Sequence, residues 1–340
     1  MPGARAWIGS FTSAGGPGVV AAEVDPATGT LTPTGASHAV PDPSYLALGP
    51  DGTVLYAVSE TADGAVAAFD VSGPAPCPLA PPRPVQGAAP THLALAHGHL
   101  LTAHYTSGGV STLLITADGT PGPVSGLLRH RGSGPDPERQ TGPHAHQVVA
   151  APGGLLLLST DLGTDSVRIA ALDPAAGGLR PHGETRLRAG TGPRHLAFHP
   201  DGRHVYVLCE LTPVLVVCGW DAAAGTLEPL AELPLPGAGG YPSALVASPD
   251  GRFLWAAVRG DDTVHVLATG PAPGAPRPVV SVPSGGHWPR DLALHPSGRW
   301  LYAAHERSGE VTWLAVDPAT GIPEAAGSIP VPAASCVVFG

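Results

Sequence analysis

Four side chains whose types can move protons and hold anions stand at like places in a sequence that repeats itself: His146, Arg194, Glu210 and Arg259. An imidazole can exchange a proton near neutral pH. A carboxylate can act as a base or as a counter-ion. Two guanidinium groups can bind a phosphate or carboxylate through paired hydrogen bonds and can stabilise a developing oxyanion. Together they suit acid/base chemistry on an anionic small molecule. Further polar candidates for holding such a molecule are Arg290, Glu60 and Asp161.

Other chemistries are absent from the sequence. All 17 basic residues are arginine, so catalysis through a lysine Schiff base is excluded. There is no His-Glu-x-x-His, no Gly-x-Ser-x-Gly, no phosphate-binding loop and no dinucleotide fingerprint. His144 and His146 lie two apart, on one face if their segment is a strand, and could share a metal ion. No compact ligand set surrounds them, so neither a metal nor another cofactor is expected. His195, His199, His204 and His295 sit beside turns and read as turn or surface residues.

The elements that must position these groups come from a repeat of roughly 48 residues. One copy reads "PSYLALGPDGTVLYAVSETADGAVAAFDV" from Pro43, another "PRHLAFHPDGRHVYVLCELTPVLVVCGW" from Pro193. Further copies begin at Pro90, Ala145, Pro242 and Pro289. Each consists of apolar runs of strand length separated by Pro-Asp-Gly or Gly-rich turns, and alternation in "LYAVSE" and "VYVLCE" argues for strands over helices. A "DPATG" turn in several copies predicts an outermost fourth strand. A seventh unit assembles from both ends, "ARAWIGSFT" with "GVVAAEVDPATGTL" and the closing "PAASCVVFG". Pairing the terminal strand with the first closes the ring and removes open sheet edges. The expectation is an all-β, seven-bladed β-propeller forming a single domain over residues 1–340.

Alignment of the copies exposes two sets of equivalent positions. The start of the first strand carries Ser44, Thr91, His146, Arg194, Ser243 and Arg290. The end of the second carries Glu60, Tyr105, Asp161, Glu210, Arg259 and Glu306. Hairpin geometry puts both sets at one mouth of the central channel, so His146 and Arg194 converge from neighbouring blades. Polar strand ends also serve as plain turn residues or bridges between blades. A carboxylate, an imidazole and two arginines around one funnel are not neutral filling, because buried charge is costly unless paired or used.

Composition agrees. Gly (46) and Pro (41) are abundant, yet 43% of residues are apolar, which suits many short strands joined by turns rather than disorder. A net charge of -10 without a basic tract argues against nucleic acid. No apolar stretch is long enough to span a membrane, and the N-terminus lacks the apolar core of a signal peptide. Cys77, Cys209, Cys218 and Cys336 show no paired spacing and read as reduced thiols, so the cytoplasm is expected. No apolar surface helix argues for assembly, and a monomer is expected.

At "ERQTGPHAHQVV", "TDLGTDSVRI", "GTGPRHLAFHPDGRHVYVLCEL", "YPSALVASPDGRFLWAAVRG" and "WPRDLALHPSGRWLYAAHE" the chain resembles the lactonase family of seven-bladed propellers, which includes bacterial 6-phosphogluconolactonases and a carboxy-cis,cis-muconate cyclase. The resemblance covers nearly the whole chain. It implies a site of a histidine (His146), an arginine (Arg194), a glutamate (Glu210) and a second arginine, Arg259. The last match departs from the family pattern because Val258 stands where asparagine is usual, which leaves Arg290 as the alternative. Gln140 and His144 match the glutamine and the first histidine that precede the family histidine, and the resemblance implies that they help hold the substrate. The implied reaction is metal-independent hydrolysis of a sugar lactone, 6-phospho-glucono-δ-lactone first, with Glu210 or His146 as base. Lactonising cyclisation of a carboxylated diene acid, or ligand or protein binding without chemistry, are the alternatives. The glycine- and proline-rich segment from Leu127 to His144 is either a lid or a plain exposed insertion.

Overall fold

The computed structural model describes residues 4–270 and 273–340. They form seven antiparallel sheets, which we number as blades. Blade 1 has the order Ala334–Phe339, Ala4–Ser10, Val19–Val24, Leu31–Ser37, so the C-terminal strand does supply the innermost strand of the first blade. Trp7 pairs with Val338 and Ile8 with Val337 in this closure. Blade 4 runs Ala145–Ala150, Leu156–Asp161, Ser166–Leu172, Leu179–Arg186, and blade 5 runs Pro193–Phe198, His204–Cys209, Val214–Asp221, Thr226–Pro234. Blades 3, 6 and 7 repeat the pattern from Pro90, Tyr241 and Pro289. Blade 2, from Leu46, carries a fifth short strand, Arg83–Pro84.

Packing divides the chain into two compact units. One comprises Met1–Leu55, Phe69–Pro78 and Leu235–Gly340, the other Tyr56–Ala68 and Leu79–Pro234. In the first unit one core gathers Ile8, Val20, Leu31, Tyr302 and Trp313, and another Phe253, Trp255 and Leu301. In the second unit Leu158, Ile169, Val207 and Val216 form one core and Leu101, Val148 and Leu157 another.

Second strands are buried on both faces, as in Phe253–Arg259 and Trp300–His305, whereas fourth strands such as Leu179–Arg186 are mostly exposed. The alternation read in "LYAVSE" therefore does not mark a half-solvated strand. The second strand lies inside the sheet with its faces covered by neighbouring blades, and it tolerates apolar residues at every position.

The "DPATG" turns do more than introduce the fourth strands. Tyr302 Oη donates to the Gly29 carbonyl at 2.6 Å, and Trp255 Nε1 donates to the Gly321 carbonyl at 2.8 Å. Both glycines have positive φ, and a Cβ on Gly29 would meet the Trp300 ring at 2.6 Å. Glycine is required there by backbone conformation and by close approach together. In blades 6 and 7 the aromatic residue of the second strand thus latches a turn of the next blade.

The first strand carries an irregularity that bears on function. In blade 4 Ala145 pairs with Asp161 and Gln147 with Thr160, leaving His146 as the extra residue of a β-bulge. Arg194 is the extra residue between Pro193 and His195, Arg290 between Pro289 and Asp291, and Thr91 between Pro90 and His92. Ser335 holds the corresponding place between Ala334 and Cys336 in the closing strand. A bulge re-aims a side chain that a regular ladder would place on a blade face. Four of the six positions in the first set, Thr91, His146, Arg194 and Arg290, are therefore bulges, and Ser335 adds a fifth in the closing strand.

Candidate active site

In the second unit the bulges of blades 4 and 5 present His146 and Arg194, both nearly fully buried. Their backbones are held by hydroxyls of the preceding blades: Thr91 Oγ1 donates to the His146 carbonyl at 3.0 Å, and Thr160 Oγ1 to the Arg194 carbonyl at 2.7 Å. Glu210 follows the second strand of blade 5, beside the pairing of Pro193 with Cys209. Its Oε2 lies 3.1 Å from Arg194 Nε. Its Oε1 lies 2.6 Å from a terminal nitrogen of Arg139, which also donates to Tyr105 Oη at 3.1 Å. The Arg194 and Glu210 side chains are 3% and 4% exposed, whereas that of Arg139 is 37% exposed. The carboxylate is thus counter-ion to one buried and one solvent-facing guanidinium. Burial presses the Arg139 guanidinium toward neutrality, but Glu210 and Tyr105 more than reverse this and raise its pKa above the ordinary arginine value.

Aromatic rings line the same place. Tyr105 stacks on His144 at 4.5 Å and meets the His146 ring edge-on at 5.9 Å. His146 meets His195 at 5.7 Å, and His195 meets His92 at 6.1 Å. Burial first, and the Arg194 charge second, push His92 down to about 3, so it stays neutral and moves no proton at neutral pH.

Arg139 was not among the sequence candidates. It comes from the segment that precedes the histidine pair, and that segment is neither a free lid nor a loose insertion. Its first residues complete the strand Pro121–Arg129. The rest is pinned. Gln140 donates to the Leu162 carbonyl and to Asp165 Oδ1, each at 2.8 Å, and accepts from the Asp136 amide at 3.1 Å. Asp136 in turn accepts from the Glu138 and Arg139 amides. Asp165 also accepts from the Gly190 and Gly192 amides, so one carboxylate ties this segment to the stretch leading into Arg194. The adjacency of Arg139 to Gln140 in "ERQTGPHAH" was the available signal.

Two candidates change role. Gln140 and Asp161 were expected to touch substrate, but both are fully buried with their polar atoms committed internally. Asp161 accepts from His130 Nδ1 at 2.7 Å, from the His144 amide at 2.9 Å and from the Gly163 amide at 3.0 Å. Burial presses its carboxyl upward, but His130 and the amide donors win and hold it below the usual range. Both side chains position the His144–His146 strand start. His144 itself is half-buried, with Nδ1 2.7 Å from the Tyr105 carbonyl. Glu60, half-buried, follows the second strand of blade 2.

In the first unit Arg259 ends the second strand of blade 6. Its Nε donates to the Tyr241 carbonyl at 3.3 Å, and its guanidinium lies 5.5 Å from the Trp288 ring centroid. Arg307 covers the same ring at 3.3 Å. Arg290 pairs with Glu306 at 3.1 Å and lies over Phe11 at 4.8 Å. Trp288 has φ +66°, an uncommon conformation for a bulky residue, and its amide donates to Asp262 at 2.8 Å.

Buried neutral imidazoles make stability depend on acid. Burial lowers His92 to about 3 and both His104 and His305 to about 4. In the unfolded chain they take up protons below about 6.5. The folded state is thus penalised progressively as pH falls from that value toward the folded values. Urea midpoints should drop between pH 7 and pH 5, and the drop should be smaller in His104→Gln.

The blade repeat, with Ala334–Phe339 paired to Ala4–Ser10, defines the class as a seven-bladed β-propeller. Within that class the chain belongs to the family described as lactonase, 7-bladed beta-propeller, which matches residues 5–339. It is 30% identical over 274 residues to a 6-phosphogluconolactonase of Bacillus subtilis, covering 77% of this chain and 76% of that one. A putative 6-phosphogluconolactonase from Bacteroides fragilis has a structure similar at TM-score 0.94 and 28% identity, over 100% of this chain and 98% of that one. The periplasmic gluconolactonase of Pseudomonas aeruginosa is similar at TM-score 0.91 and 30% identity, over 99% and 98%. Among the described residues no helix is long and apolar enough to cross a membrane.

Proposed function

We propose that this protein hydrolyses a sugar lactone and that its substrate is 6-phospho-glucono-δ-lactone. The observation that carries the reading is the row Arg139–Glu210–Arg194 beside His146 and Tyr105. His146 takes a proton from the attacking water. Arg194, held in place by Glu210, stabilises the oxyanion that forms on the carbonyl oxygen. When the tetrahedral intermediate collapses, the ring C–O bond breaks and His146 returns the proton to the departing oxygen. The product is an open hydroxy acid, which releases one proton at neutral pH. Arg139, the solvent-facing member of the row, binds the phosphate. Glu210 acts as counter-ion rather than base, because both its oxygens face guanidinium nitrogens. His146 and the row together supply base and anion stabiliser from the chain's own residues. The proposal takes the chain as a single domain acting as a monomer in the cytoplasm, where its four free cysteines stay reduced.

The test is proton release on adding the lactone, with and without the phosphate, for wild type, His146→Ala, Glu210→Gln, Arg259→Ala and Arg290→Ala. Opening of the phosphorylated lactone well above the spontaneous rate, lost in His146→Ala, is the expected result. Hydrolysis of the unphosphorylated lactone alone would remove the phosphate from the proposal. No acceleration of either lactone would overturn it, and a carboxylated muconolactone would be assayed next.

A further inference from the structure

The turn closing the first hairpin of blade 5 reads His199-Pro-Asp-Gly-Arg-His204. His199, Asp201 and His204 each bring one metal-ligating atom, and these atoms all lie within 4.8 Å of one another. Asp201 stands between the two imidazoles, with Oδ1 3.1 Å from His199 Nδ1 and Oδ2 2.7 Å from His204 Nδ1. The carboxylate is oriented from behind by the Arg203 and His204 amides, which donate to Oδ1 at 2.8 and 3.1 Å. The Asp201 amide donates to His199 Nδ1 at 3.1 Å and fixes that ring. The three side chains are 11%, 19% and 23% exposed, so the group is supported on one side and open to solvent on the other.

The turn itself does not need this set. Three of the equivalent turns read Gly49-Pro-Asp-Gly-Thr-Val54, Ser248-Pro-Asp-Gly-Arg-Phe253 and His295-Pro-Ser-Gly-Arg-Trp300. Each also introduces a second strand. In blade 7 the Ser297 amide donates to His295 Nδ1 at 3.1 Å, so one histidine and its amide bond belong to the turn architecture. The sixth position is apolar in all three relatives, and in blade 5 alone it is a second imidazole placed against a carboxylate.

We propose that His199, Asp201 and His204 bind a divalent transition-metal ion, zinc by donor type, with water completing the coordination. Two imidazole nitrogens and one carboxylate oxygen are a usual three-ligand zinc set. Bonds of about 2.0–2.1 Å in a tetrahedron place donors roughly 3.4 Å apart, so the 2.7 Å His204–Asp201 contact opens by about 0.7 Å and the 3.1 Å His199–Asp201 contact by about 0.3 Å as the ion enters. At His199 the ion takes the lone pair that now accepts from the Asp201 amide, and the proton that leaves His204 Nδ1 passes to solvent. The ion closes the far end of the hairpin whose near end presents Arg194 and Glu210, and touches neither.

The test is calorimetric titration of zinc ions into the chelator-treated full chain. Two variants borrow residues from the sister turns, His204→Phe from blade 6 and Asp201→Ser from blade 7, so both retain a turn this fold already uses. Saturable one-to-one binding in the low micromolar range, weakened at least tenfold in each variant, is expected. Zinc should also raise the melting temperature of wild type and leave that of the variants unchanged. Absence of saturable binding, or binding that neither substitution weakens, would overturn the proposal. The latter would place the ion on others of the 16 histidines.

Discussion

In the proposed reaction, Arg194→Ala is expected to lower kcat/KM for lactone hydrolysis by about 10²–10³-fold, the cost of removing one preorganised donor from an oxyanion site. The effect falls mainly on kcat, because the guanidinium acts on charge that develops only in the transition state. Arg194→Lys does not restore the rate. A lysine ammonium cannot reproduce the fork that reaches Glu210 from a bulge whose carbonyl is fixed by Thr160. Arg139→Ala has a different signature. Its side chain is partly in solvent and meets only one oxygen of Glu210. The loss appears chiefly in KM for the phosphorylated lactone and little for the unphosphorylated one. Steady-state kinetics on both substrates check both statements. Equal effects of the two arginine variants on KM and kcat would remove the division of labour assigned to them.

Glu210→Ala destabilises the fold by about 3–5 kcal/mol, because it leaves the Arg194 guanidinium buried without its carboxylate. Glu210→Gln costs less, since the amide oxygen still accepts one hydrogen bond. The double variant Arg194→Met/Glu210→Leu recovers most of the stability while remaining inactive. Two apolar side chains of similar volume need no desolvation of charge, and Arg139 can turn to water. Urea unfolding of the four proteins reads the first effect and proton release the second. If Glu210→Ala unfolds at the wild-type midpoint, the pair is not a buried ion pair in solution. If the double variant keeps activity, the site lies elsewhere.

Much of this was legible before any coordinates, for identifiable reasons. Strand runs and Pro-Asp-Gly turns recur at fixed spacing, and local backbone preference alone reads them. The outer strands follow from the "DPATG" turns, and closure of the first blade by Ala334–Phe339 follows from an incomplete repeat at each end. His146 and Arg194 stood out because repetition turns position into a comparison: the same slot holds Thr91 or Ser243 in sister blades. What repetition cannot display is contact between unlike segments. Arg139 reaches Glu210 across 71 residues from a segment that has no counterpart in the other blades. Gln140 and Asp161 have the residue types of ligand-binding groups, yet their partners are internal amides and carbonyls, and only the path of the chain decides that.

The sequence by itself determined the strand repeat, the number of blades, their closure and the slots in which polar residues interrupt the pattern, because all of these depend on periodicity and turn chemistry along the chain. The tertiary structure alone decided which polar side chains meet. Bulges at His146 and Arg194 turn those side chains out of the ladder. A pinned segment delivers Arg139 to Glu210. The turn of blade 5 closes two imidazoles on a carboxylate. Charge pairing acts over a few ångströms in space and leaves no period in the sequence.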